Sequence, residues 1–196
     1  AQLVVEESAD QFAFRHALTR EAAYARLLLR ERLKYHAVIA ETIENTRVNR
    51  LDVHFADLSF HFFQAGVWDK AIEYSQQSGE RAWALYAPRE AIIFFTRALN
   101  AAQHLEIAPP LRILLGRGEA FETVGNFENA LADYNQVLIF AHTTQDSMAE
   151  WQGLIDLGSL WAGRDYQRTG TFFQQALELA RQMGNPLTLA RSLNRI

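Results

Sequence analysis

Residues 118–134, GEAFETVGNFENALADY, decide the fold. Gly118 and Ala130 are small where two helices must approach closely, while Phe121, Phe127 and Tyr134 fill the space around them. Between them, Gly125 can take the left-handed conformation that ends a helix, and Asn126 can cap the next one. The spacing is that of a helix, a short turn and a second helix. The same pattern returns along the chain. A shift of 39 residues puts Ala91 on Ala130, Phe95 on Tyr134 and Phe173, Leu99 on Leu138 and Leu177, and Ala102 on Ala141 and Ala180. A fixed period of this length means that each unit cannot bury its apolar face alone, so neighbours stack into one core. The expected fold is all-α, a helical solenoid of the kind used to hold partners.

The set Gly118, Phe121, Gly125, Phe127, Ala130 and Tyr134 resembles a tetratricopeptide repeat. The resemblance implies a right-handed solenoid of antiparallel helices over residues 51–196. The following unit keeps Leu154, Leu157, Gly158, Trp161, Tyr166, Phe173 and Ala176. Thr169 stands where the family prefers Ala, so this unit's second helix is expected slightly farther out. Before residue 88 two frames stand open. The helix over 54–64 could pair with the one over 69–86, as Gly66 and Ala71 suggest; the shift instead pairs 69–86 with the helix after it, placing Gly79 on Gly118.

With 196 residues, 49% apolar and 21% charged, the chain can bury a substantial core and is neither disordered nor collagen-like. It has no cysteine, which excludes a disulfide framework and a thiolate metal site and fits a cytoplasmic protein. Apolar runs such as Ala91 to Phe95 fall far short of a membrane span, and Ala1 opens no signal-peptide pattern. Net charge is -4 and the pI about 5.9, the wrong sign for releasing counterions from a phosphate backbone. Neither nucleic acid nor a membrane is an expected partner.

In chain order, Leu3 to Val5 and Phe12 to Phe14 read as two short strands around a polar turn, a hairpin over residues 1–16 that is marginal alone and needs something to pack on. Ala17 to Leu29 and Leu33 to Ile43 carry helical apolar stripes and leave open whether they are one helix or two. Glu44 to Asp52 is polar and irregular. A helix follows from about His54 to Gln64, stopping at Gly66, and Asp69 is a plausible cap for the next. Pro88, Pro110 and Pro186 open helices, and Ser147 with Glu150 reads as a capping box. Start and stop signals give about nine helices in all.

A second resemblance rests on Phe14, His16, Leu18, Glu21, Tyr24, Leu28, Arg32, His36 and Ala40, then Leu58, His61, Ala65, Gly66, Trp68, Ala71 and Tyr74. This run is similar to the junction of bacterial STAND-type signal-transduction ATPases, in which a nucleotide-binding module and a winged helix lead into tetratricopeptide repeats. It implies that residues 1–16 are the wing of a truncated winged helix, that 17–50 form a helical junction, and that an ATPase module precedes them. The chain departs from that family in having no GxxxxGK[ST] loop.

No GxGxxG, GxSxG, HExxH or EF-hand pattern occurs either, so no catalytic residue, cofactor or metal ligand is expected. His54 and His61 are two helical turns apart, which at 1.5 Å rise separates them by about 10 Å, too far for one metal ion. The expectation for these histidines is bonding to helix ends, and for His16 and His36 a tie between the hairpin and the first helices.

In tetratricopeptide arrays the first helix of each pair lines the groove. Carried residue by residue, that frame places Glu73, Gln76, Glu80 and Trp83, then Arg112, Leu115, Glu119 and Glu122, then Gln152, Ile155 and Ser159 toward it. Four of these are carboxylates and one is an arginine. The groove is expected to accept a basic or aromatic protein segment, with Trp83 as an anchor, or a small effector. Acids and glutamines disfavour a clamp for a terminal carboxylate. The leading functional expectation is a non-catalytic interaction or sensing module of a STAND-like regulator; the alternative is a freestanding scaffold for assembly or self-association.

Overall fold

The computed structural model describes residues 4–8 and 11–196. Two strands, β1 (Val4–Ser8) and β2 (Gln11–Phe14), pair antiparallel with Val4 opposite Phe14 and Val5 opposite Ala13. The expected hairpin is therefore present, while Leu3 and the turn residues Ala9 and Asp10 lie outside the described residues.

Ten α-helices follow among the described residues, one more than the sequence signals gave: α1 (Ala17–Arg26), α2 (Leu29–Thr46), α3 (Phe55–Ala65), α4 (Trp68–Ala84), α5 (Pro88–His104), α6 (Leu111–Thr123), α7 (Phe127–Thr144), α8 (Ser147–Trp161), α9 (Tyr166–Met183) and α10 (Pro186–Leu193). The N-terminal helical region is two helices, broken where Leu27 and Leu28 turn extended; the Glu31 carboxylate accepts from the Leu28 amide at 2.8 Å. The stretch read as irregular from Glu44 is helical through Thr46 and then forms a 3-10 segment, Val48–His54. Glu44 holds the helix end in place by accepting from Lys70 and from the Tyr74 hydroxyl.

Two caps shift from where the sequence put them. Asp146, not Ser147, caps α8, its side chain accepting from the Ala149 amide at 3.1 Å. Asp69 lies inside the first turn of α4, which Val67 precedes without a side-chain cap, and a carboxylate there still complements the helix dipole. Asn126 and Asn185 cap α7 and α10 through the amides of Asn129 and Leu187. Pro88 and Pro186 occupy first helical positions, where no amide hydrogen is needed.

From α2 to α10 each helix packs chiefly on the helix before it and the helix after it. The closest crossings recur. A Cβ added at Gly79 of α4 would lie 2.5 Å from the Phe95 ring of α5; at Gly118 of α6, 2.4 Å from Tyr134 of α7; at Gly158 of α8, 2.4 Å from Phe173 of α9. Each glycine lets an aromatic ring of the next helix lie against bare backbone. The wider packing expected near Thr169 is not seen at this crossing, because Gly158 and Phe173 approach as closely as Gly118 and Tyr134. The turns keep step as well: Tyr86, Gly125 and Gly163 carry positive φ after α4, α6 and α8, and Glu106, Gln145 and Gly184 do so after α5, α7 and α9.

Both frames proposed before residue 88 leave a mark. Ser59 of α3 and Ser75 of α4 stand as far apart in sequence as Gly118 and Tyr134, and their hydroxyls bond at 2.7 Å. Helix α4 thus meets α3 through two small serines and α5 through the Gly79 and Phe95 contact. The core runs along the row in overlapping clusters: Ala40, Leu58, Phe62 and Tyr74; then Phe95, Leu99, Ile113, Leu114 and Val137; then Tyr134, Leu157 and Leu160; then Trp151, Leu154, Phe173 and Ala176. One ion pair is buried in it. Asp133 of α7, 3% exposed, takes both nitrogens of the Arg117 fork from α6 at 2.8 and 2.6 Å. Such a pair fixes how two helices meet, since either partner alone would be an uncompensated buried charge.

Candidate functional site

Helices α4, α6, α8 and α10 are the alternate members of the row, and α6 touches both α4 and α8. The residues expected to line a groove lie on the first three. Glu73 is exposed on α4. The Gln76 amide donates to the Glu80 carboxylate at 2.9 Å, and Glu80 accepts from Arg112 Nε at 2.9 Å, tying α4 to α6. Leu115 is half-buried against the core, so its face is only partly available.

Farther along, Glu119, Gln152 and Ile155 come together in one cleft of about 490 Å³ with Trp151, Asp156, Arg191, Asn194 and Arg195. Gln152 donates to Asp156 Oδ1 at 2.8 Å, while Asp156 Oδ2 is buried without a partner among the described residues. Burial raises the Asp156 carboxyl to about 7; Glu119 and Glu122 push the same way, and the Gln152 bond and Arg195 oppose them. Glu119 is raised for the same reasons, burial first and Glu122 second. Glu122 is exposed and accepts from the Tyr134 hydroxyl at 3.1 Å. Ile155 is buried and Ser159 half-buried, so neither offers much to a partner.

Trp83 is not in that cleft. One side of its indole packs on the α5 and α6 core, and the other lines a separate apolar slot of about 480 Å³ with Ala84, Tyr86, Pro88 and Thr123. The expected single groove is therefore two neighbouring features on one row of helices. Sequence reasoning missed Asp156, Arg191, Asn194 and Arg195. Extending the same shift once more would have found three of them, because it carries Gln152, Ile155 and Asp156 onto Arg191, Asn194 and Arg195. Two arginines on α10 make the cleft more mixed in charge than the four carboxylates and one arginine expected.

The histidines do something other than bond to helix ends. Tyr24 Oη lies 3.0 Å from His36 Nε2, and His36 Nδ1 lies 2.8 Å from His61 Nδ1, so α1, α2 and α3 are joined through three side chains. Burial lowers both imidazoles, with His36 adding to the effect at His61. His16 is exposed at the start of α1 and makes no side-chain cap bond. His54 pairs locally with Asp57 at 3.5 Å. Among the described residues no group of three or more His, Cys, Asp or Glu side chains is placed to hold a metal ion, and no helix is long and apolar enough to cross a membrane. Comparison with models of known protein families finds no match, and comparison with curated proteins finds none either.

Proposed function

We propose that this chain is a tetratricopeptide-like, right-handed helical solenoid acting as a non-catalytic interaction or sensing module, and that the face of α4, α6, α8 and α10 binds a segment of a partner protein. The observation that carries this reading is the thrice-repeated crossing of Gly79, Gly118 and Gly158 under Phe95, Tyr134 and Phe173. In this reading the alternate helices lie side by side, and Glu73, Glu80, Glu119, Glu122 and Asp156 outnumber Arg112, Arg191 and Arg195 on the face they form. The partner segment is basic, with an aromatic or apolar residue beside its charge.

The N-terminal layer favours a module seated in a larger regulator over a freestanding scaffold. Helix α1 buries none of its residues, and Phe14, Leu18, Leu29 and Val38 are 41, 78, 72 and 50% exposed. Large apolar side chains exposed on several neighbouring elements are what a docking face would cover. In the STAND-like arrangement a nucleotide-binding module would cover it, and a ligand on the repeats would act by preferring one state of that junction.

The test is selection of displayed random peptides against the immobilised protein. Enrichment in arginine and lysine, lost for the Glu119→Lys, Glu122→Lys double variant, is the expected result. Enrichment that is neutral in charge, or unchanged by the double variant, would sink the proposal.

A further inference from the structure

The cleft that α6 shares with α8 and α10 carries charges of both signs that do not satisfy one another. Glu119 and Asp156 supply the acids, Arg191 and Arg195 the bases, and the space they line measures about 490 Å³, within the range of small-molecule sites. Burial raises the Asp156 carboxyl and Arg195 opposes it, which puts that arginine within electrostatic reach. Among the described residues, however, no ion pair joins either acid to either arginine. Asp156 Oδ1 accepts from the Gln152 amide, while Oδ2 is buried with no donor among the described residues. A buried carboxylate oxygen left without a donor is costly, and the group that suits it most is a charged one.

The two sets of charges are held in place by the fold. The Trp151 indole, 2% exposed, donates to the Ser192 hydroxyl at 2.9 Å, and that buried hydroxyl donates to the Thr188 carbonyl at 2.9 Å. Ser192 thus pins α10 against α8, and Arg191 and Arg195, four residues apart and exposed, line the cleft from there. On α8 Gln152 and Asp156 are likewise four residues apart, and the buried Trp151 and Ile155 beside them give the cleft an apolar floor. Acids from α6 and α8, arginines from α10 and apolar surface on the floor suit a ligand whose opposite charges are joined by an aliphatic stem. A lone cation would meet the arginines unfavourably, and a lone anion the acids.

We propose that this cleft binds a small zwitterion of the amino-acid class, its ammonium on Asp156 and Glu119 and its carboxylate on Arg191 and Arg195. The proposal rests on the sensing half of the reading given above and names the chemistry of the effector. It is tested by titrating the full chain, labelled for NMR, with ε-aminocaproate, and with n-pentylamine and caproate, which carry one charge each on a like stem. The zwitterion is expected to move the Trp151 indole N–H signal, and each half to bind at least about tenfold more weakly, the scale of one lost charge-assisted hydrogen bond. The double variant Arg191→Gln, Arg195→Gln alters exposed positions only and is expected to weaken the zwitterion about tenfold, on the same scale, with the midpoint of thermal unfolding unchanged. Asp156→Asn is expected to weaken both ε-aminocaproate and n-pentylamine and to leave caproate as it was. No binding of ε-aminocaproate, equal binding of either half, or unchanged affinity in the arginine double variant would overturn the cleft. Should it fail in this way while basic peptides are still selected, and still lost for Glu119→Lys, Glu122→Lys, the cleft falls and the binding face stands.

Discussion

A missing methyl group decides most at the residue scale. At Gly118 an added Cβ would sit 2.4 Å from Tyr134 Cε1 and 2.8 Å from Cδ1, and Tyr134 is fully buried with its hydroxyl tied to Glu122. The ring cannot swing away without breaking that bond and opening the core. Gly118→Ala is therefore expected to destabilise the protein by about 1–3 kcal/mol through overpacking. Gly170 is the control. It lies inside α9, nothing stands within 4 Å of its would-be Cβ, and Gly170→Ala is expected to stabilise by about 0.5–1 kcal/mol, the helix preference for alanine. Urea unfolding of the two variants reads opposite signs for one substitution, and a neutral Gly118→Ala would show that the crossing is looser than drawn. The importance of Gly118 and Tyr134 was legible in the sequence because small and large residues recur at fixed spacing. The Arg117 and Asp133 pair was not, since one carboxylate on a helix looks like any other until the facing helix is known.

Among the elements, α2 packs on α3 through Ala40, Ile43, Leu58 and Phe62, while α1, which buries no residue, is tied to them by polar bonds. Tyr24, His36 and His61 make the chain across the junction; Arg32 of α2 lies 4.7 Å from the centre of the Tyr24 ring and donates to the carbonyls of Leu27 and Ala25. With both imidazoles neutral, one Nδ1 donates to the other and Tyr24 donates to His36 Nε2. Adding two protons sets N–H against N–H. Asp57, a turn before His61, favours a charged His61, and Arg97 of α5 lies 5.8 Å from the Phe60 ring that packs on both imidazoles. Because both imidazoles are lowered in the folded state, the fold favours their neutral forms. Their contribution is complete above the unfolded histidine value of about 6.5 and is lost as pH falls below it. The chain's lack of cysteine lets Glu21→Cys and Gln64→Cys carry spin labels alone. The distance between α1 and α3 is expected to lengthen and broaden from pH 7.5 to 5.5, and to do so much less in His61→Gln. An unchanged distance at pH 5.5 would show that apolar contacts hold the junction instead. The sequence marked His36 as a junction residue but could not pair it with His61, which is 25 residues away on another helix.

At the scale of the whole molecule, α2 to α10 pack chiefly on their sequence neighbours, and stability is expected to be graded accordingly. A row in which each helix meets its neighbours has no single centre, so local opening costs depend on how many sides of a helix are covered. Helices α4 to α8 have packed neighbours on both sides, and Ile113, Leu114, Tyr134, Val137 and Leu157 among them are fully buried. At one end α1 buries nothing, and at the other α10 is held by α9 and by the Trp151 indole, which donates to Ser192 at 2.9 Å. Hydrogen exchange is expected to follow this gradient. Amides of α1 should exchange within about a factor of ten of an unprotected helix, those of α10 more slowly, and those of α5 to α7 only with the deepest opening. Trp151→Phe keeps the apolar ring and removes the N–H, so it should speed exchange in α10 and leave α5 unchanged. Were α5 to accelerate equally, the protein would be opening as one cooperative unit, and the nearest-neighbour picture that places a binding face along alternate helices would lose its energetic basis.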